Sequence, residues 1–385
     1  MSSNDNCVKC NQSITSVSHL HGAFCKNCFQ VFVIHKFRAA IGRTKLITNG
    51  EDVLVACSGG DNSSALLHLI QHGKSESAHR KLRFIPQVLY VDEYGALEVS
   101  SEDRMAKRAE ILQVLIAAGF PVYVSSLEQA LNQKRSETTA RSVFVKAITS
   151  NIPLPPNVET SELKSILSRI SSLTSLEDFI KQLRCQLIVT IATELGISKV
   201  LTAENCTKLA IQVLSCVAQG RGSQISQSTG FSDSRNNVMF IRPLRDLSSS
   251  DLAAYNKLFD VPSTVNPIVI KKTSSLSIEH LTEMFVLSLL KDFPSTVNNI
   301  KRTSEKLEQA DLRLPKCYIC KSPLDIQMES SSAQSALKFS YSLSHSQSSY
   351  TRNIYAKFDQ ASVAYFFLGR SSVPPLACKT DAFCN

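Results

Sequence analysis

Two stretches of the chain carry residues whose types and spacing can do chemistry. The first holds four cysteines, Cys7 and Cys10 in "CVKC" and Cys25 and Cys28 in "CKNC", which read Cys-x2-Cys-x14-Cys-x2-Cys. Each short pair forms a knuckle with both thiolates on one side, and two knuckles close a tetrahedron around one ion. The spacing suits structural zinc, and four thiolates leave no open position for a reacting group. A further pair, Cys317 and Cys320 in "CYIC", is followed only by Cys378 and Cys384, whose wider spacing is irregular. A second zinc site there stays open.

The other stretch is "SGGDNS": Ser58, Gly59, Gly60, Asp61, Asn62 and Ser63. It follows the apolar run Val53–Ala56 and opens the helical pattern "SALLHLI". Glycines let backbone N–H groups turn inward, and a helix N-terminus adds positive potential, so such a loop can cradle phosphate. The Gly-Lys-Ser/Thr ending of a Walker A loop is absent. A plain strand-to-helix turn with an N-cap would use the same residue types.

The elements that must position these residues follow a simple rhythm. Strand-like runs at Val53–Ala56, Gln87–Val91, Val122–Val124, Lys199–Thr202 and Met239–Ile241 alternate with helical stretches. That order predicts an α/β fold, a parallel five-stranded sheet with helices on both faces. The expected organisation is a zinc-ribbon module over residues 1–30, then a basic helix and linker over 31–48. An α/β domain over 49–250 follows, with an insertion at about 132–175. A helical region over 251–326 holds the Cys317 and Cys320 pair, and a Ser-rich tail over 327–385 is expected to be disordered. In the basic helix, Phe29, Phe32, Val33, Phe37, Ala40 and Ile41 recur at helical spacing.

At 385 residues, with 43% apolar content, the chain can bury a sizeable core. No run is long and apolar enough to predict a membrane span. The N-terminal "MSSNDNCVKC" lacks a charged-then-apolar signal, so neither secretion nor organelle import is expected. The twelve cysteines then read as thiols and metal ligands in a reducing compartment. The formal charge of +9 is uneven. Lys9, Lys26, Lys36, Arg38, Arg43 and Lys45 face the single acid Asp5 within the first 50 residues. This is the footprint of a nucleic-acid-binding face, with an ordinary solvated surface as the plainer alternative.

The loop resembles the Ser-Gly-Gly-x-Asp-Ser motif of ATP-pyrophosphatase-type enzymes, which activate a substrate carbonyl by adenylation. Three further stretches narrow the match: "HKFRAAIGR" (His35–Arg43), "GFSDSRNNVMFIRPLRDLSSSDLAAYNKLF" (Gly230–Phe259) and "FPSTVNNIKRTSEKL" (Phe293–Leu307). Together with the cysteine module, the chain resembles the cytoplasmic tRNA 2-thiolation protein 2 family over most of residues 5–325. The resemblance implies an adenine-nucleotide alpha-hydrolase-like sheet, a cytoplasmic location and a heterodimer with a related catalytic subunit 1. That pair thiolates the wobble uridine of lysine, glutamate and glutamine tRNAs, forming 5-methoxycarbonylmethyl-2-thiouridine. The sulfur comes from a thiocarboxylated ubiquitin-related modifier.

Three departures from the active relatives speak against chemistry in this chain. Asn62 stands where they need an aspartate, and Asp61 supplies a carboxylate one place early. Asn lacks the charge that helps hold Mg²⁺. Nucleotide binding could survive this change, while adenylation would suffer more. The positions matching a sulfur-handling cysteine pair are about Glu177 and Ile180, and a third cysteine beyond the fifth strand is missing. After the fourth strand the relatives' Gly-His-Asn and aspartate pair are replaced by Ala203-Glu204-Asn205-Cys206-Thr207-Lys208.

Cys57, Cys185, Cys206 and Cys216 read as small buried packers. Asp92 and Glu93 either line an adenosine pocket or end a strand beside solvent. The resemblance then implies a non-catalytic subunit that holds tRNA, with Lys36, Arg38, Arg43, Arg221 and Arg302 as candidate contacts. Arg242, Arg245, Lys301 and Lys306 are further candidates, internal ion pairs being the alternative for Arg242 and Arg245. The competing reading is an active ATP-dependent tRNA sulfurtransferase in which Asp61 supplies the missing charge and Cys206 works with a cysteine from another chain.

Overall fold

Val53, Leu54 and Val55 have no exposed surface. A strand reaches that state only with neighbours on both edges and cover on both faces. The computed structural model describes residues 6–13, 16–18, 22–76, 81–134, 143–235, 237–264 and 276–307. Cys317, Cys320 and the Ser-rich tail lie outside them.

In chain order, a small hairpin of β1 (Ser16–Ser18) and β2 (Gly22–Phe24) precedes the basic helix α1 (Lys26–Thr44). The α/β part runs β3 (Asp52–Ala56), α2 (Asp61–Lys74), β4 (Ile85–Asp92), α3 (Ser101–Ala117), β5 (Val122–Ser126) and β6 (Val145–Ala147). It continues with α4 (Asn157–Ser168), α5 (Leu173–Glu194), β7 (Lys199–Leu201) and α6 (Cys206–Ala218). A short α7 (Ile225–Thr229) leads to β8 (Ser232–Arg235) and β9 (Val238–Ile241). Three helices follow: α8 (Ser249–Leu258), α9 (Ile278–Asp292) and α10 (Thr296–Ser304). No helix among the described residues is long and apolar enough to cross a membrane.

The sheet corrects the expectation of five parallel strands. Among the described residues it has seven strands, in the order β6-β5-β4-β3-β7-β9-β8. The five expected strands are its parallel centre. The edge strands β6 and β8 are antiparallel to their neighbours and make the sheet mixed. Neither edge carries an apolar run: β6 is Val-Lys-Ala and β8 is Ser-Asp-Ser-Arg, so their pairing comes from the backbone and not from a core-facing pattern.

The N-terminal module shares the α/β core. Cys7, Phe24, Cys25, Phe29, Phe32, Val33 and Phe37 belong to the same buried cluster as Val53, Val88 and Leu252. The rings of Phe24 and Phe32 stack with centroids 5.2 Å apart. Helix α1 is thereby fixed through Phe29, Phe32, Val33 and Phe37. A reciprocal capping box at Ser248 and Asp251 starts α8.

One histidine pair is set under α1. His68 Nδ1 lies 2.9 Å from the Tyr255 hydroxyl, and buried His72 Nδ1 has no partner. Burial, and then the neighbouring His72, lowers the His68 pKa; burial, and then Arg38, lowers that of His72. The unfolded chain therefore takes up more protons as pH falls below about 6.5, so this part of the stability is present above that value and lost beneath it. Urea midpoints are expected to drop between pH 7.5 and 5.5, and the drop should shrink in His68→Gln/His72→Gln. An unchanged drop in the double variant would assign it to other groups.

Candidate functional site

The cysteine cluster is built by the hairpin and the start of α1. The Val8 N–H donates to the Ala23 carbonyl (2.9 Å), which ties the first knuckle to the hairpin. Cys25 is the N-cap of α1, and its sulfur accepts from the Cys28 N–H. The four sulfur atoms lie within 4.8 Å of one another. A tetrahedral zinc–thiolate centre with Zn–S near 2.3 Å has sulfurs roughly 3.8 Å apart, so the set fits one ion. Burial opposes ionisation of Cys7, but backbone N–H groups outweigh it and bring the thiol down to about 6. Hydrogen bonding with Cys10 and Cys25 pushes Cys28 up to about 12. Four crowded sulfurs cannot all ionise unaided, which a bound cation would relieve.

The glycine loop joins β3 to α2. Gly60 is the N-cap of α2 and offers no side-chain acceptor to the first helical N–H groups. Gly59 has φ +82, and a Cβ there would lie 2.8 Å from Ile111 Cγ2 and Thr264 Oγ1. Only glycine fits that turn. The Gly59 carbonyl accepts from the Thr264 N–H (2.9 Å) and hydroxyl (3.1 Å). Asp61 accepts from the Ser263 hydroxyl at 2.6 Å. Asn62 Oδ1 instead accepts from Asn205 Nδ2 at 3.1 Å, and the same amide donates to Ser249. Asp61 and Asn62 thus face different partners, and Asp61 does not take the place of Asn62. Ser63 is buried and donates to the Gly60 carbonyl.

Asp92 and Glu93, at the end of β4, do not face solvent. Both are buried. Asp92 accepts from Arg104 Nε and the Tyr94 N–H, each at 3.0 Å. Arg104 also donates to both oxygens of Glu128, at 2.6 and 3.1 Å, while Glu93 pairs with Arg184 at 2.8 Å. These carboxylates are committed to an internal ion network. Sequence reasoning misses Arg104, Arg108, Glu128 and Arg184. Arg104 and Arg108 share a helix face with Ile111, Leu112 and Leu115, a spacing that could have placed them inside.

The candidate cations separate into two groups. Lys36, Arg43 and Arg302 line one cavity of about 430 Å³ between α1 and α10. None of the three forms an ion pair within 4 Å among the described residues. Lys36 sits over the Phe32 ring, 5.8 Å from its centroid. Against burial, and behind Lys301 and Arg245, its charge helps to lower the Asp246 carboxyl's pKa. Arg38 lies outside this cavity, with its Nε buried and unbonded. Arg221 pairs with Asp178 at 2.7 Å. Arg242 bonds Glu204, Arg245 bonds Glu305, and buried Lys301 bonds Asp246.

The family model described as "Cytoplasmic tRNA 2-thiolation protein 2" matches residues 277–364, partly outside the described residues. The curated "Cytoplasmic tRNA 2-thiolation protein 2-B" of Xenopus laevis is 37% identical, over 88% of this chain and 76% of its own. The chain belongs to the cytoplasmic tRNA 2-thiolation protein 2 family. The family's human member is 34% identical over 89% of this chain and 76% of its own. Among solved structures, the U34-tRNA thiolase NcsA of Methanococcus maripaludis, determined with its 4Fe-4S cluster, superposes with a TM-score of 0.59. It is 16% identical and the match covers 84% of this chain and 94% of that one, a likeness of fold.

Within this family member, the positions matched to a cysteine pair fall on α5, where Ile180 is buried and Glu177 is half-buried. Cys57 and Cys206 are buried, and burial pushes both thiols up to about 12, which suppresses the reactive thiolate. Cys185 and Cys216 are only partly buried, so the packing role expected for all four describes two of them fully.

Proposed function

We propose that this chain is a non-catalytic, tRNA-holding subunit of the cytoplasmic complex that 2-thiolates the wobble uridine of lysine, glutamate and glutamine tRNAs. It works beside a catalytic subunit that takes sulfur from a ubiquitin-related modifier. Family membership supports the tRNA-thiolation role and the cytoplasmic location. The observation that carries the holding role is the convergence of Lys36, Arg43 and Arg302, without an ion pair within 4 Å among the described residues, on one cavity. Cations in that state are available to phosphate, whereas Arg221, Arg242, Arg245 and Lys301 already hold carboxylates. Zinc is the ion we assign to Cys7, Cys10, Cys25 and Cys28, with a purely structural role. The glycine loop is a retained scaffold: its amide pair Asn62–Asn205 lacks the anionic oxygen that a metal-assisted adenylation needs.

Reconstituted complex tests both halves of this reading. Asp61→Ala/Asn62→Ala should thiolate tRNA at the wild-type rate. Lys36→Ala/Arg43→Ala/Arg302→Ala should bind tRNA more weakly. The slope of log K against log salt should become shallower by about one for every phosphate that is no longer neutralised. Loss of thiolation in the loop variant, with folding and partner binding intact, would overturn the non-catalytic assignment. A salt slope unchanged in the triple variant would remove these cations from the tRNA interface.

A further inference from the structure

The cavity between α1 and α10 has a lining that a phosphate groove does not need. Its walls are one face of each helix, Lys36, Ala40 and Arg43 on α1 facing Asn298 and Arg302 on α10. Behind them stand Phe231 and the buried Cys206 at the start of α6. The Lys301–Asp246 and Arg245–Glu305 pairs brace the walls, so the concavity exists before any ligand arrives. At about 430 Å³ it falls in the size range of pockets for small organic ligands.

We infer that this cavity receives one nucleotide of the bound RNA, turned out of its stack, with its base against Phe231 and its phosphate among Lys36, Arg43 and Arg302. The inference rests on the tRNA-holding reading and adds the form in which the RNA is recognised. The physical reason is the mixed lining. A bare anion would satisfy the three cations and leave Phe231 and Ala40 unfilled. A purely apolar ligand would leave the cations desolvated and unpaired, which is costly. A nucleotide carries a flat aromatic ring and an anion about a sugar's length apart, and stacking on an aromatic side chain is tolerant of base identity. A paired duplex presents phosphates on a convex ridge and keeps its bases inside, so it cannot fill the hole.

The test uses the full-length, metal-loaded chain and two probes, an unmodified lysine-tRNA transcript and a fully paired RNA duplex. Asn298→Trp fills the cavity from the α10 wall and keeps every cation, while Phe231→Leu removes the stacking face. Each is expected to weaken tRNA binding about tenfold and to leave duplex binding within about twofold. Asn298→Trp should keep the wild-type melting temperature, while Phe231→Leu, whose ring also packs on the main core, should lower it by a few degrees. Should Phe231→Leu fail to fold, Asn298→Trp alone decides the matter, because Asn298 is only partly buried on its helix. Wild-type tRNA affinity in Asn298→Trp, or an equal loss on both probes, overturns the inference and leaves tRNA holding by backbone contacts intact. Millimolar UMP should compete with the transcript on the wild-type chain and lose that effect in Asn298→Trp; equal competition in both would place the mononucleotide elsewhere and overturn the inference. Absence of tRNA binding by the wild-type chain at low salt overturns the tRNA-holding reading itself.

Discussion

Arg104→Ala is expected to destabilise the protein by about 3–5 kcal/mol, the cost of stranding buried charge. Arg104 bridges Asp92 and Glu128, two carboxylates whose side chains have no exposed surface. Burial already pushes the Asp92 carboxyl above its ordinary value, in spite of Arg104 and Arg108. Without Arg104, the nearest cation to Asp92 is Arg108 at 3.6 Å, and Glu128 keeps the Thr160 hydroxyl at 2.9 Å. Gly95 packs directly on this pair, so close that a Cβ there would collide with Glu128 and Arg104. Urea unfolding measures the loss, and Arg104→Ala/Glu128→Gln should recover part of it by removing one orphaned charge. A loss below about 1 kcal/mol, the level of an exposed pair, would mean that water reaches these carboxylates.

Cys25→Ser is expected to abolish stoichiometric zinc and to unfold the N-terminal module selectively. Structural zinc supplies about 10–16 kcal/mol of apparent binding free energy in small modules, which is folding free energy there. Cys25 is both a ligand candidate and the N-cap of α1. A serine keeps a capping oxygen, so the substitution separates the two roles. The module contributes Phe24 to the stack on Phe32, and α1 carries Lys36 and Arg43. Hydrogen exchange should therefore rise in the hairpin and the first turns of α1, and tRNA affinity should fall with it, while the sheet keeps its protection. Chelation of the wild-type chain should reproduce the pattern reversibly. One retained equivalent of zinc in Cys25→Ser, with exchange unchanged, would exclude Cys25 from the ligand set.

How much of this was written in the sequence differs from element to element. Local pattern was enough for the five central strands, for α1 and for the cysteine knuckles, because each depends on residues close in the chain. Val53–Val55 is an uninterrupted apolar run, and two Cys-x-x-Cys pairs need only a hairpin to meet. The edge strands β6 and β8 were not legible, since an edge pairs through backbone groups that every residue has. The ion network was half legible: Arg104 and Arg108 lie on an apolar helix face, but Asp92 and Glu128 come from other elements.

The same division holds for the site. Residue types alone determined that Asn62 cannot carry a negative charge and that no cysteine stands at 177 or 180. Only the tertiary structure decided that Asp61 turns to Ser263 while Asn62 meets Asn205, because a one-residue step at a helix start points side chains in different directions. Charge counting likewise left nine cations as candidates, with internal ion pairs as a named alternative only for Arg242 and Arg245. Folding separated them, by giving Arg221, Arg242, Arg245 and Lys301 a carboxylate each and bringing Lys36 and Arg43 opposite Arg302. Which charges are neutralised depends on contacts between elements far apart in the chain, and no local spacing encodes those.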